Sequence, residues 1–278
     1  MPDYDRYAVF GHPIAHSQSP TIHRLFAEHS GHTRVRYEAC DVSADRFSAC
    51  ARDFFAQGGK GLNCTLPLKE PAFAITAQNS PRAQQAKAVN TLIMRQDGSL
   101  FGDNTDGIGL VRDLEQNLSV ELKGLDILVL GAGGATRGIL GPILERGPSS
   151  LFVANRTAAK ARELVLAFSK FGTLSAGGLD ELSGRRFDLI LNATAASLSQ
   201  ELPPLPDSIL NRQGVCYDLA YAKQPTAFVK WGHAQDASIS VDGIGMLVEQ
   251  AAEAFFLWRG VFPETARVIQ ALRNERFA

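Results

Sequence analysis

The sequence predicts an α/β protein in which β-α units surround a mostly parallel sheet. Short apolar runs alternate with amphipathic stretches along the whole chain, and no internal repeat or low-complexity tract interrupts them. One apolar run leads directly into a glycine-rich turn and a helical pattern, LVLGAGGATRG. Because the chain has 278 residues, it has room for one large domain or two smaller ones.

The first part of the chain contains both kinds of element. Strands are predicted for YAVF, RVRYEACDV and GLNCTL, and helices for residues 21–30, 44–57 and 71–77. The segment AVNTLIMRQDGSLFGDN is typical of a hairpin that turns at Asp97 and Gly98. This hairpin closes the first predicted unit.

A second unit follows the hairpin. The segment DGIGLVRDLEQNL has helical spacing, and LDILVLGAGGATRGILGPILERG is typical of a strand, a turn and a helix. Further strands are predicted for SLFVANR, FDLILNAT and GVCYDLAY, which is the extent of a nucleotide-binding domain. From Gly243 onward two helical segments are predicted, GMLVEQAAEAFFLWRG and ETARVIQALRNERFA, and these can pack on either unit.

Composition and charge narrow the classes of function. The formal net charge of -1 gives no electrostatic reason to expect nucleic acid or an anionic membrane as a partner. The apolar runs are too short to span a bilayer, and the first residues do not form a secretion signal. The cysteines show neither CxxC spacing nor clustering with histidine, so we expect a reduced, cytoplasmic protein without a metal site: Cys40, Cys50, Cys64 and Cys216.

The glycine-rich turn predicts a dinucleotide site. Gly131 allows the tight turn after the strand, and Gly133 lets a pyrophosphate approach the backbone amides at the start of the helix. The third glycine of the usual pattern is replaced by Thr136. The strand before the turn and the helix after it still favour nucleotide binding over a simple chain reversal.

The end of the next predicted strand favours NADP over NAD. An NAD site usually has an acidic residue here, whereas this chain has Asn155, Arg156 and Thr157, followed by Lys160. Hydrogen-bond donors and positive charge suit a 2′-phosphate. The alternative is that Thr157 caps the next helix and that Lys160 is a solvated surface charge.

Two polar segments lie at the ends of predicted strands and supply candidates for proton transfer. GLNCTLPLKE contains Lys69, and GDNTDGIG contains Asp106. A lysine beside a carboxylate can transfer the proton that accompanies a hydride. Taken alone, however, a lysine before a helix is usually a solvated charge, and DNTDG is usually a turn or a helix cap.

The segment GHPIAHSQSP places two serines near the start of the chain. Ser19 precedes Pro20 and is predicted to cap the following helix. Ser17 has no such explanation. Because a helix N-terminus also attracts anions, capping and ligand binding are compatible here.

Together these segments resemble the shikimate dehydrogenase family. The resemblance covers nearly the whole chain, in the family's order and approximate spacing: FGHPIAHSQSPTIH, GLNCTLPLKE, AVNTL, GDNTDGIG, GAGGATRG, NRTAAKA, NAT, YDLAY and DGIGMLVEQAAEAFFLW. It implies a reversible, NADP-linked reduction of 3-dehydroshikimate to shikimate, on the route to chorismate and aromatic amino acids. Lys69 would then transfer the proton to the C3 oxygen, and Asp106 would orient Lys69 and bind the substrate.

The resemblance also implies the remaining site residues. Those that contact the substrate would be Ser17, Ser19, Asn63, Thr65, Asn90, Gln250 and the nearby Tyr221. Those that contact the pyrophosphate would be Gly131, Gly133, Gly134 and Ala135, with Asn155, Arg156, Thr157 and Lys160 at the adenosine phosphate and Gly243 near the nicotinamide. No metal is implied.

Two domains are expected, of which the first is discontinuous in sequence. Residues 1–105 and 243–278 would form the substrate-binding and catalytic domain, and residues 106–242 the NADP-binding domain. The protein would be a monomer or a homodimer.

Two rival functions are considered. One rival is a quinate/shikimate dehydrogenase that uses NAD or both cofactors, and another is a dinucleotide-binding sensor without catalysis. The absence of an acidic residue after VAN disfavours the first, and retention of Lys69 and Asp106 disfavours the second.

Overall fold

The fold consists of two compact α/β units. The computed structural model describes residues 4–199 and 201–275. The first unit contains Met1–Gly109 and Leu247–Ala271, and the second contains Leu110–Met246 and Leu272–Ala278. The last predicted helix was expected to reach Ala278, and residues 276–278 lie outside the described part of the chain.

The first unit is built on a mixed six-stranded sheet. Its elements up to residue 112, of which the last helix continues into the second unit, are β1 (Asp5–Gly11), α1 (Ser19–His29), β2 (Val35–Asp41), α2 (Phe47–Ala56), β3 (Gly59–Cys64), α3 (Lys69–Ile75), β4 (Gln78–Asn79), α4 (Pro81–Ala86), β5 (Thr91–Met94), β6 (Leu100–Asp103) and α5 (Asp106–Arg112). The strand order is β2-β1-β3-β5-β6-β4. β1 runs parallel to β2 and β3, whereas β5 is antiparallel to β3 and β6.

The second unit has a parallel six-stranded sheet. After a π-helical turn at Asp113–Asn117, its longer elements are β7 (Asp126–Leu130), α6 (Gly134–Leu144), β8 (Ser150–Ala154), α7 (Ala158–Phe168), β9 (Leu174–Gly177), β10 (Phe187–Asn192), β11 (Leu210–Asp218), α8 (Ala227–Ala234) and β12 (Ile239–Asp242). The strand order is β12-β11-β10-β7-β8-β9. From β7 the chain builds the sheet outward in one direction through β8 and β9, and then in the other direction from β10, so the switch point lies between β7 and β10. In sheets of this kind, ligands bind outside the carboxyl ends of the strands at that point.

Two further helices end the chain. α9 (Ile244–Arg259) starts in the second unit and returns to the first, and α10 is Ala266–Glu275. Within the first unit, the Trp258 indole of α9 donates a hydrogen bond to the Leu92 carbonyl of β5 at 3.1 Å. Among the described residues, the helices are all too short or too polar to cross a membrane.

Each sheet buries side chains on both faces. In β7, Ile127 and Val129 belong to one buried apolar cluster, and Leu128 and Leu130 belong to another. This continuous apolar pattern is typical of a parallel strand that is covered on both sides. In the first unit, Phe10 points into a cluster with α2 and α3. Both sheets therefore hold the carboxyl ends of their strands on a rigid base.

The α/β fold class is confirmed, with corrections to single elements. The second predicted helix starts at Phe47 rather than at residue 44, and the third starts at Lys69 rather than at Pro71. β3 ends at Cys64, so Thr65 lies beyond the strand. Five short elements had no counterpart among the predicted ones: β4, α4, β9, α8 and β12.

The predicted cap of α1 is wrong. Gln18 occupies the N-cap position and its side chain makes no capping bond, while Ser19 is already the first helical residue. Pro20 is therefore the second helical residue, where proline is tolerated because the backbone N–H groups of the first turn have no helical partner. The nearby bond runs from the Ser19 backbone N–H to the Ser17 hydroxyl oxygen at 3.3 Å.

Candidate active site

A lysine and an aspartate form an ion pair in the first unit. Lys69 is the first residue of α3, and Asp106 is the first residue of α5. The Lys69 Nζ atom lies 2.5 Å from Asp106 Oδ2, and the two side chains are 22% and 9% exposed. The pair is therefore mostly enclosed, with the ammonium group more open to water than the carboxylate.

Asn90 holds the other oxygen of this carboxylate. Its amide nitrogen donates to Asp106 Oδ1 at 2.8 Å, and its second hydrogen is shared between the Thr105 hydroxyl at 3.0 Å and Gln250 Oε1 at 3.3 Å. Since both oxygens of Asp106 accept a hydrogen bond, the orientation of its carboxylate is fixed. The structure thus brings together four residues that the sequence analysis singled out, Lys69, Asp106, Asn90 and Gln250.

Asn63 is bound into the framework behind Asn90. Its amide nitrogen donates to the Asn90 carbonyl at 3.0 Å and to the Thr91 hydroxyl at 3.1 Å, while its oxygen accepts from the Tyr37 hydroxyl at 2.7 Å. An amide nitrogen has two hydrogens, and both are directed to the protein here. Asn63 thereby fixes the backbone from which the Asn90 side chain extends.

Thr65 and the two serines lie at the carboxyl ends of β3 and β1. The Thr65 backbone N–H donates to the Phe10 carbonyl at 2.9 Å, which ties the turn before α3 to β1. Ser17 is half-buried, whereas Ser19 is 9% exposed. Burial raises the pKa of the Tyr37 hydroxyl well above its usual value, and a hydrogen bond with the Ser19 side chain opposes that shift.

The glycine turn in the second unit fits a dinucleotide pyrophosphate. Gly131 has a φ of +100°, which favours glycine, and a Cβ there would lie 3.1 Å from the Ala193 carbonyl oxygen. At Gly133 and Gly134 a Cβ would meet no atom within 4 Å, and no side chain caps α6 at Gly133. The first turn of α6, which also contains Ala135, therefore presents backbone N–H groups to open space.

Thr136 explains the incomplete glycine pattern. Its side chain is fully buried and its hydroxyl donates to the Gly131 carbonyl at 2.8 Å. This bond ties the first turn of α6 to the turn that precedes it. Threonine at the third position therefore stabilises the same turn instead of disrupting it.

Donors for an adenosine phosphate lie at the carboxyl end of β8. Arg156, Thr157 and Lys160 are exposed, and Asn155 is half-buried, with its amide donating to the Thr157 carbonyl at 2.9 Å. Thr157 occupies the N-cap position of α7, but its side chain makes no capping bond. The capping alternative for Thr157 thus receives no support from the geometry.

Tyr221 and Gly243 follow neighbouring strands of the second unit. Tyr221 lies just after β11, and Gly243 lies just after β12. A Cβ at Gly243 would collide with the Leu219 carbonyl oxygen, and the Gly243 N–H donates to the Ala220 carbonyl at 3.1 Å. Glycine is therefore required where this loop contacts the one that carries Tyr221.

Three further residues support the site, and none of them was predicted from the sequence. Arg82 bonds to Asp103, Tyr37 bonds to Asn63, and the Thr105 hydroxyl lies 3.4 Å from Gln250 Oε1. Thr105 could have been found, because it stands inside GDNTDGIG. For Arg82 and Tyr37 the sequence holds no comparable motif, since their roles depend on partners far away in the chain.

The fold and this geometry define the class as an α/β oxidoreductase with a Rossmann-like dinucleotide-binding unit. Three family profiles match the chain: a shikimate dehydrogenase substrate binding domain over residues 9–92, a shikimate/quinate 5-dehydrogenase over residues 113–200 and a shikimate 5′-dehydrogenase C-terminal domain over residues 243–273. The chain belongs to the shikimate dehydrogenase family.

Individual relatives agree with this assignment. A shikimate dehydrogenase (NADP(+)) of Methylococcus capsulatus is 61% identical over 276 residues, which is 99% of each chain. The crystal structure of an Ael1 enzyme from Pseudomonas putida is 46% identical with a TM-score of 0.90, covering 96% of this chain and 98% of that one. The Thermus thermophilus shikimate 5-dehydrogenase, solved with NADP(H) and shikimate, is 35% identical with a TM-score of 0.87, covering 97% and 99%.

Proposed function

We propose that this protein catalyses the reversible NADP-linked reduction of 3-dehydroshikimate to shikimate, with the first unit binding the substrate and the second binding the cofactor. The observation on which the mechanism depends is the 2.5 Å contact between Lys69 Nζ and Asp106 Oδ2. The names of the curated relatives and the NADP(H) and shikimate in the Thermus structure support the substrate and the cofactor.

In this mechanism Lys69 transfers the proton and Asp106 orients Lys69. NADPH, when bound, supplies the hydride for the carbonyl carbon. The Lys69 ammonium group donates a proton to the C3 oxygen and regains one from water, to which its partly exposed side chain has access. Asn90 and Lys69 contact the two oxygens of Asp106, so Asp106 orients Lys69 and is not itself the acid.

The other polar groups of the first unit bind the substrate in this proposal. Ser17 and Ser19 bind the carboxylate, and Asn63, Thr65, Asn90 and Gln250 bind the carboxylate or the hydroxyls. An analogue that lacks one hydroxyl would leave a buried polar group without a partner, which gives the site its selectivity. The family resemblance adds Tyr221, just after β11, to the proposed substrate-binding residues.

The second unit holds NADP through two groups of residues. Gly131, Gly133, Gly134 and Ala135 bind the pyrophosphate through backbone N–H groups, and Gly243 contacts the nicotinamide. The 2′-phosphate binds the donors after β8, namely Asn155, Arg156, Thr157 and Lys160. Lys160 provides a point charge without the two-pronged geometry of arginine, so most of the selectivity for NADP comes from Arg156.

The proposed setting follows from composition. We expect the protein to be cytoplasmic, to act as a monomer or homodimer, and to have no nucleic acid or membrane partner. The expected setting and the expected lack of nucleic acid and membrane partners rest on the net charge of -1 and on the spacing of the cysteines, which are free thiols.

Steady-state kinetics test the substrate and the cofactor together. Shikimate and quinate are each assayed with NADP and with NAD. We expect the highest kcat/KM for shikimate with NADP, because the carboxyl end of β8 offers donors and no acidic side chain. Comparable efficiency with quinate and NAD would replace the proposal by a quinate/shikimate dehydrogenase.

A lysine variant tests the catalytic step in the same assay. Lys69→Ala should lower kcat by about 10²- to 10⁴-fold, the usual contribution of a general acid. Lys60→Ala is the control, since Lys60 is an exposed residue of β3 outside the site. Equal turnover of the wild type and of Lys69→Ala would overturn the mechanism and favour a non-catalytic sensor.

A further inference from the structure

Arg82 joins three segments of the first unit. It lies in α4, and its guanidinium donates to both oxygens of Asp103, at 2.8 Å from Nε and 2.7 Å from an Nη atom. The same Nη atom donates to Glu253 Oε1 of α9 at 2.8 Å. The Arg82 side chain is 22% exposed, and those of Asp103 and Glu253 are 4% and 13% exposed. The ion pairs are therefore largely shielded from water.

Asp103 shapes the turn that leads to the catalytic carboxylate. Its Oδ1 atom accepts hydrogen bonds from the Ser80 hydroxyl and from the Asn104 backbone N–H. The Asn104 side chain in turn accepts from the Asp106 backbone N–H at 3.2 Å and donates to the Ala88 carbonyl at 3.0 Å. A continuous series of hydrogen bonds therefore leads from Arg82 to the backbone of Asp106.

Glu253 fixes the helix that carries Gln250. The two residues are both in α9, three positions apart, which places them on neighbouring turns of one face. Gln250 lies 3.3 Å from the Asn90 amide nitrogen. The guanidinium thus anchors the helix of Gln250 and the turn of Asp106 at the same point.

The ion pairs of Arg82 with Asp103 and Glu253 require arginine. Burial alone would lower the pKa of Arg82, but hydrogen bonds and attraction from Asp103 and Glu253 raise it above the usual arginine value. The guanidinium therefore stays charged between two carboxylates. Lysine in its place would keep the charge but could not make the two parallel bonds to Asp103.

We propose that Arg82 is a positioning residue of the reaction, which sets the orientation of Asp106 through Asp103 and the position of Gln250 through Glu253. This inference rests on the proposed function, because it assumes that Asp106 orients the proton donor. The described bonds of the Arg82 guanidinium go to Asp103 and Glu253, neither of which is assigned a contact with substrate. Arg82 therefore acts through other residues.

A double-mutant cycle tests the link to Asp106. Arg82→Lys should lower kcat for shikimate oxidation by about 10- to 100-fold, because small displacements of a catalytic group have effects of this size. In an Asp106→Asn background the same substitution should change kcat less than about twofold, because the residue through which it acts is already altered. Additive effects in the cycle would overturn the proposal.

A second variant tests the link to Gln250. Glu253→Ala removes the anchor on α9 and leaves the bonds to Asp103, so it should raise KM for shikimate several-fold while kcat stays within about threefold. Calorimetric binding of shikimate without cofactor should weaken by the same factor. An unchanged KM and an unchanged binding constant would contradict this half of the proposal.

Arg259→Lys is the matched control. Arg259 also lies in the first unit, is 19% exposed and pairs with a carboxylate, Asp5, at 2.5 Å. We expect it to lose comparable thermal stability but to keep kcat and KM, and an equal loss of kcat would reduce Arg82 to a merely structural role. Wild-type turnover is measured first: if shikimate is not oxidised, the proposed function fails, whereas an active wild type with an additive cycle refutes only the role of Arg82.

Discussion

At the scale of the residue, Ser17 and Ser19, which follow β1, have different surroundings. Ser19 is nearly enclosed and its side chain interacts with the buried Tyr37 hydroxyl. Ser17 is half-buried, and its hydroxyl oxygen accepts the Ser19 backbone N–H. Both serines lie beyond the carboxyl end of β1, which is where parallel strands present their ligand-binding groups.

Substitution of each serine separates binding from folding. Ser17→Ala and Ser19→Ala should each raise KM for shikimate by about 10- to 100-fold with kcat nearly unchanged, because each removes a hydrogen bond to a charged carboxylate. Ser19→Ala should also cost about 1 kcal/mol of unfolding free energy, since the Tyr37 hydroxyl loses a buried partner.

Kinetics and urea unfolding provide these two measurements. His16→Ala serves as the control, because His16 is exposed on the same loop and is assigned no role. If both serine variants keep the wild-type KM, the serines do not bind the substrate.

Residues with roles that follow from local sequence were predictable, and those with distant partners were not. Lys69, Asp106 and Asn90 stand in polar segments at the ends of predicted strands. Arg82 stands in an ordinary helical segment, and its importance arises from Glu253, which is far away in the chain. The same holds for Tyr37, since its bond to Asn63 joins β2 to β3 across the intervening β1.

At the scale of the element, α8 is fixed at its start by a buried polar cluster. Thr226 is its N-cap, and its hydroxyl oxygen accepts the Val229 backbone N–H at 3.2 Å. The same hydroxyl donates to Asp218 Oδ2 at 2.6 Å, and Ser197 donates to that carboxylate as well. Burial raises the pKa of Asp218, while the bonds from Ser197 and Thr226 oppose the increase.

Removal of the Thr226 hydroxyl should destabilise this cluster. Thr226→Val keeps the shape but leaves the Asp218 carboxylate and the Val229 N–H each without one partner, at a cost of about 1–3 kcal/mol. Thr226→Ser keeps the hydroxyl and should cost less than about half as much. Urea unfolding measures both, and equal losses would show that packing of the methyl group matters more than the hydrogen bonds.

Long elements were predictable from the sequence and short ones were not. β1, β7 and α9 have enough residues to show an apolar pattern, and their positions were predicted closely. β4 has two residues, and β9 has four of which two are serine and glycine, so neither shows a period. Such segments become strands because a neighbouring strand supplies hydrogen bonds, and that neighbour is not visible in the local sequence.

At the scale of the whole molecule, one buried histidine makes stability depend on pH. His23 is 1% exposed and stacks on Tyr37 with ring centroids 4.1 Å apart. Its Nε2 atom has no hydrogen-bond partner among the residues that the structure describes. Burial lowers the pKa of His23 from 6.5 to about 3, so the ring stays neutral in the folded protein.

Acid should therefore destabilise the protein through His23. The unfolded chain binds a proton below pH 6.5 that the folded chain binds only near pH 3, so this contribution is complete above pH 6.5 and is lost as the pH falls. The loss approaches about 1.4 kcal/mol per pH unit. The free energy of unfolding is measured with urea from pH 7.5 to 4.5. Below pH 6.5 its slope against pH should be smaller by this amount in His23→Phe than in the wild type.

The comparison of slopes has an internal check. Other titrating groups, including Asp113 and Asp218, affect both proteins equally and cancel in the difference. Parallel curves for the wild type and His23→Phe would show that His23 has the same pKa in the folded protein as in the unfolded chain, which would contradict the prediction.

The discontinuity of the first unit has a consequence for synthesis on the ribosome. Residues 1–109 emerge first, but they lack Gln250, Glu253 and Trp258, which are encoded after the second unit. Apart from its final residues from Leu272 onward, the second unit is continuous in sequence and leaves the ribosome in one stretch. Until residues 247–271 have been translated, the nascent sheet of the first unit therefore lacks α9 on the face where α1 packs.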